Sequence, residues 1–90
     1  MFEVRETGRD GRLTHVWFQI ETREEAIKVM IKRIFGDDEI IHTKHKWTGC
    51  DIYWDRNNFA LYQNYHNRDH YELDDVRGPS TEFTYDICIY

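Results

Sequence analysis

Proline is almost missing from this chain, one in 90 residues, and serine occurs once, at Ser80. With only five glycines and no low-complexity tract, the composition excludes a disordered or linker-like polypeptide. The single serine lies in "RGPST", with no glycine elbow around it, which removes a serine nucleophile. Two cysteines, Cys50 and Cys88, are too few for a disulfide framework, and both sit in strand-like runs. Free thiols in a reducing compartment are expected, although nothing in the sequence forbids a Cys50–Cys88 bridge. The longest apolar runs are a few residues, far short of the ~20 that a membrane helix needs. "MFEVRETGRD" carries charge where a secretory leader needs an apolar stretch, so a cytoplasmic location is expected.

Excess positive charge is also lacking. The net charge is −5. Residues 1–36 hold seven Lys/Arg against six Asp/Glu, or +1, and residues 37–90 hold five against eleven, or −6. A surface of this sign repels phosphate backbones and attracts basic partners, which argues against nucleic acid as a partner. Aromatic residues, by contrast, make up 16% of the chain, enough for a ring-built core or interface. Ninety residues make a single domain, 1–90, with one core and no room for a separate cofactor domain.

The patterning alternates between two periods. "MFEVRE" reads as a strand with Phe2 and Val4 on one face, and Asp10-Gly11 turns the chain into a second strand, "LTHVWFQI". There Val16, Phe18 and Ile20 share one face, and Leu13, His15 and Trp17 the other. Thr22-Arg23-Glu24-Glu25 is a capping box opening a helix over residues 23–35. Ile27, Met30, Ile31 and Ile34 form its apolar stripe, Lys32 and Arg33 suit its last turn, and Gly36 suits its end. "EIIHTKHKW", "CDIYW" and "FALYQNYH" read as further strands, "NRDHYELDD" as a loop or short edge strand, and "RGPST" as a loop. "EFTYDICIY" closes the chain with Phe83, Tyr85, Ile87 and Ile89 inward.

The expected fold is therefore α+β: an antiparallel sheet of five or six strands, in the order β-β-α-β-β-β-β, with one amphipathic helix on one face. Trp17, Tyr53, Tyr62 and Tyr90 are expected on the face opposite the helix.

Four chemistries compete for the polar residues. His66 and His70 would be about 13 Å apart on a strand, too far to share one metal ion, and only a helical turn would join them in a metal-dependent enzyme. His42 and His45 point to opposite faces of their strand. Cys50 and His45 are a bare minimum for a thiolate pair, and Glu72 with Asp75 would need a cleft to serve as acid and base. Lys44 and Lys46 beside Tyr53 make the nucleic-acid alternative, a basic sheet face with a stacking ring. No enzyme, catalytic residue, cofactor or metal ligand is expected from these fragments.

Protein binding fits better. Tyr65, Asp69, Tyr71, Glu72, Asp74 and Asp75 combine rings with carboxylates in the acidic part of the chain. Rings supply contact area at low rotamer cost, and carboxylates steer a basic partner, such as a nuclease or a nucleic-acid-binding complex. A short, acidic, ring-rich domain without a catalytic motif resembles the small inhibitors encoded by phages and toxin–immunity systems. That resemblance is compositional. It implies an anti-defence or immunity-like inhibitor occupying the partner's nucleic-acid surface; a homodimer contact is the competing use of a second ring-bearing face.

Overall fold

The computed structural model describes residues 1–56, 59–75 and 83–90. Their elements are β1 (Phe2–Thr7), β2 (Leu13–Ile20), α1 (Arg23–Phe35), β3 (Ile41–Lys44), β4 (Asp51–Trp54), β5 (Phe59–Gln63), β6 (His70–Asp75) and β7 (Phe83–Ile89). The fold is α+β with one helix and an antiparallel sheet, as the patterning implies. The sheet has seven strands rather than five or six, in the spatial order β2-β1-β7-β6-β5-β4-β3. The extra strand is β6, which is interior rather than a loop or an edge: it pairs with β5 on one side and β7 on the other. The "RGPST" loop and Ser80 lie outside the described residues.

Helix α1 carries the chain from one edge strand, β2, to the other, β3, and the remaining strands meander back until β7 pairs with β1. Its ends are set locally. The Thr22 hydroxyl accepts from the Glu25 amide at 3.1 Å, and Gly36 adopts φ 63°, placing its N–H 2.9 Å from the Lys32 carbonyl. Thr22→Ala is expected to cost about 1 kcal/mol of unfolding free energy, measured by urea denaturation. The stripe is rotated slightly from the expected one. Ala26, Met30 and Phe35 are buried, while Ile27, Ile31 and Ile34 flank them half-buried. The helix packs on β1, β2 and β7.

Two bulges in β2 change its faces. Phe2 pairs with Ile20 but Val4 pairs with Trp17, so one extra residue sits between them, and Gln19 takes φ 58° there. The bulge rephases the strand: Ile20 and Trp17 both face the helix, where the Arg33 guanidinium lies 5.7 Å from the Trp17 ring centre, and Phe18 is turned out to solvent. The second bulge is at Thr14, whose hydroxyl donates to the Glu6 carboxylate at 2.7 Å. Tyr53 is likewise on the helix side, through its pairing with Leu61 and of Leu61 with Leu73. Trp17 and Tyr53 therefore correct the expectation that placed them opposite the helix. Tyr62, and Tyr90 just past β7, alternate onto the far face as expected.

Among the described residues the core is Val4, Ile20, Ala26, Met30, Phe35, Tyr53, Leu61, Tyr71, Leu73, Tyr85 and Ile87. Cys50 and Cys88 are free. Cys50 adjoins β4 and Cys88 is on β7, three strand spacings apart, or about 14 Å, beyond the 4.4–6.8 Å a disulfide spans. No helix of the described residues is long and apolar enough to cross a membrane.

Candidate protein-binding face

Among the described residues no helix covers the second face of the sheet, and its side chains can be read from strand alternation and register. One cross-strand row runs Ile41, Trp54, Ala60, Asp74, and the next runs Thr43, Ile52, Tyr62, Glu72, Thr84. A third pairs His70 with Asp86 and Asp86 with Arg5. The face is thus divided. Its β3–β5 half is aliphatic and aromatic, its β6–β7 half acidic, and the boundary falls between Tyr62 and Glu72 in one row and Ala60 and Asp74 in the other.

The apolar half is concave. Ala60 has no bulk to fill the space between its neighbours, and Trp54, Ile52 and Tyr62 rise around it with Thr43 to enclose an open depression of about 400 Å³. Trp54 is 37% exposed. On the acidic half, Glu72 and Asp74 are exposed. The His70 Nδ1 lies 2.7 Å from the Asp86 carboxylate and its Nε2 lies 3.7 Å from Glu72. His70 thus ties β6 to β7 through Asp86, with Glu72 close by.

Of the six residues expected to form one contact, five are distributed over three places, and the side chain of the sixth, Asp75, lies outside the described residues. Glu72 and Asp74 lie on the uncovered face. Tyr65, exposed, and Asp69 lie on the turn of residues 64–69, where Asp69 accepts from the Arg23 guanidinium at 3.0 Å. Tyr71 is 0% exposed, its ring in the core and its hydroxyl accepting from Arg23 at 3.1 Å. A surface contact there gives way to a structural role, because β6 is a central strand whose odd-numbered residues face inward. Asp75 ends β6. Sequence reasoning missed Trp54 and Ile52. The signal was present in "CDIYW", where alternation puts both on one side.

The other candidate chemistries are placed as follows. Tyr53 is buried, with His42 stacked on its ring at 4.4 Å, and burial with the nearby Asp51 carboxylate pushes its phenol up to about 12. It is therefore not offered to a base, which takes the ring out of the Lys44/Lys46 surface. His66 is on the turn of residues 64–69, edge-on to Tyr65, while His70 is engaged by Asp86. Among the described residues no three His, Cys, Asp or Glu side chains converge as metal ligands. The His45 Nδ1 accepts from the Trp47 and Thr48 amides, so its ring serves its own turn rather than Cys50. Burial pushes the Cys88 thiol up, which keeps it in the unreactive protonated form.

Comparison with family models, curated proteins and solved structures finds no match to this chain.

Proposed function

We propose that this protein is a small cytoplasmic binding module for a basic protein, and that it works as an inhibitor by occupying that partner's nucleic-acid-binding surface. The observation that carries the reading is the divided, helix-free face: a concave apolar half under Trp54 and Tyr62, directly bordered by the carboxylates of Glu72 and Asp74. An apolar centre with rings supplies contact energy, and adjoining charge supplies orientation and encounter rate. A basic surface that holds phosphates presents the complementary pattern, guanidinium and ammonium groups beside stacking surfaces. The chain's charge of −5 adds long-range attraction to such a surface. The compositional resemblance to phage counter-defence and immunity proteins points the same way.

The test begins with partner capture and continues with two variants. Trp54→Ala is expected to weaken the complex by about 2 kcal/mol, mostly through faster dissociation. Glu72→Gln with Asp74→Asn is expected to slow association and flatten its salt dependence, with the thermal midpoint of the free protein nearly unchanged. In a filter-binding assay the bound partner should no longer retain double-stranded DNA. Undiminished affinity in both variants, or a complex that retains DNA as well as the free partner, would sink the proposal.

A further inference from the structure

The β3–β4 and β5–β6 turns lie side by side at one end of the sheet, because β3, β4, β5 and β6 are consecutive neighbours. They differ from the rest of this acidic chain. Residues 42–50 and 59–68 contain no Asp or Glu, yet hold Lys44, Lys46, Arg68 and three histidines. Two bordering carboxylates are already engaged, Asp51 by the His42 ring at 2.8 Å and Asp69 by Arg23 at 3.0 Å. The exposed triplet Asp37, Asp38 and Glu39 lies at the opposite end of the sheet, since α1 begins at this end and delivers the chain to the start of β3 at the other. A strand of five residues separates the ends by about 17 Å, beyond the Debye length at physiological salt. The turns themselves therefore carry cations without carboxylates, although Glu24 and Glu25 in the first turn of α1 lie at the same end and offset part of that charge.

Each turn also presents a ring to solvent. Trp47 is 84% exposed with the Lys46 ammonium 5.6 Å from its centre, and Tyr65 is 58% exposed. The turns are tied together. Arg68 donates to the Thr48 carbonyl at 2.9 Å, while its own carbonyl accepts from Gln63 and Arg23. Gly49 at φ 71° and the two amides bound by His45 hold Trp47 at the tip. A tryptophan at this exposure gains nothing from folding, so the hydrophobic effect does not explain its position. Two strand spacings, about 10 Å, separate one turn from the other.

From this juxtaposition we infer that the paired turns bind single-stranded nucleic acid, with Trp47 and Tyr65 stacking bases and Lys44, Lys46 and Arg68 meeting phosphates. Neither residues 43–49 nor residues 64–69 contain an aliphatic side chain to enter a lipid interior, so flat stacking rather than membrane insertion is the use of the rings. The site is separate from the divided face and stands whether or not that face binds a protein.

The experiment is fluorescence anisotropy of a short labelled oligothymidine or oligouridine titrated with the full chain at about 50 mM salt. Binding is expected to weaken with salt at a logarithmic slope of about −2 for three phosphate contacts, moving toward about −0.7 in Lys44→Ala with Lys46→Ala. Trp47→Ala and Tyr65→Ala should each weaken binding at least about fivefold. Trp54→Ala, on the other surface, should leave it unchanged, and far-UV circular dichroism confirms that each variant is folded. Three results overturn the inference: no anisotropy change up to about 100 µM protein, equal affinity in Trp47→Ala, or binding to phosphatidylserine vesicles without binding to either oligonucleotide.

Discussion

Tyr71→Ala is expected to lower the unfolding free energy by about 3–5 kcal/mol, the usual range for truncating a fully buried aromatic side chain. For a domain of this length the total is only about 5–13 kcal/mol, so the variant should melt well below the parent or fail to fold at 37 °C. The reason lies in position as much as in size. Tyr71 is the largest of the fully buried side chains, placed on a central strand between Gln63 of β5 and Tyr85 of β7. Its removal opens a cavity at the middle of the sheet, where the backbone is paired on both sides and cannot close in. Tyr71→Phe separates packing from hydrogen bonding. It keeps the ring and removes only the contact with Arg23, which still donates to Asp69 and to the Arg68 carbonyl. That variant should cost about 1 kcal/mol and leave partner affinity unchanged. A large loss of affinity with a small loss of stability would instead return Tyr71 to the binding surface.

Glu6→Ala is the second large effect, expected near 3 kcal/mol. Glu6 is 3% exposed and is the hub of a polar cluster beneath the helix. Its carboxylate accepts from Arg33 at 3.0 and 3.3 Å, from the Tyr85 hydroxyl at 2.7 Å and from Thr14 at 2.7 Å. Arg33 is half exposed and can return to water when its partner is removed, which limits the penalty. The Tyr85 hydroxyl cannot, and a buried donor left unsatisfied accounts for about 1–3 kcal/mol of the loss. Burial alone would push the Glu6 carboxyl up. The hydrogen bonds from Arg33, Tyr85 and Thr14, with the Arg33 charge, outweigh burial and hold it below its ordinary value of 4.5. The sign of the pH effect follows. A carboxyl with a depressed folded value contributes stability above its unfolded value, and that contribution is lost as pH falls through the folded one. Unfolding free energy should therefore decline below about pH 4.5 in the parent, and Glu6→Gln should lack that part of the decline. Identical acid profiles for the two would show that Glu6 is not the group responsible.

Local signals in the sequence determined the helix to the residue. Thr22 closes one end, Gly36 the other, and both act within a single turn, so no distant contact is needed to set them. Strand alternation was equally legible in "EFTYDICIY" through Ile87, because period-two patterning follows directly from backbone geometry. Ile89, at the strand end, is 74% exposed rather than inward, because none of the described elements packs over it there. Two things were not legible. The face assignment in β2 failed because a single bulge at Phe18–Gln19 shifts Trp17 to the helix side; the residue types on either side of it are compatible with both phases. "YHNRDHYELDD" also hid its strand, because polar side chains alternate there with only two buried residues, Tyr71 and Leu73. A central strand needs both faces only where both are covered, and here one is open, so charge is tolerated on every second position.

The same distinction holds for the candidate sites. Composition determined that this chain is acidic, ring-rich and poor in nucleophiles. The sequence singled out Glu72 and Asp74 only together with Tyr65, Asp69, Tyr71 and Asp75, without distinguishing the buried Tyr71 from the rest. Only the tertiary structure decided which rings stand beside them. Pairing of β4 with β5 and of β5 with β6 brings Trp54, Tyr62 and Glu72 onto one surface across sequence separations of up to eighteen residues. It also sets the turn bearing Trp47 beside the turn bearing Tyr65, where Arg68 of one donates to the Thr48 carbonyl of the other. Sequence fixes what a segment prefers because propensity and periodicity act over a few residues, whereas a surface is made of neighbours that only hydrogen-bond register brings together.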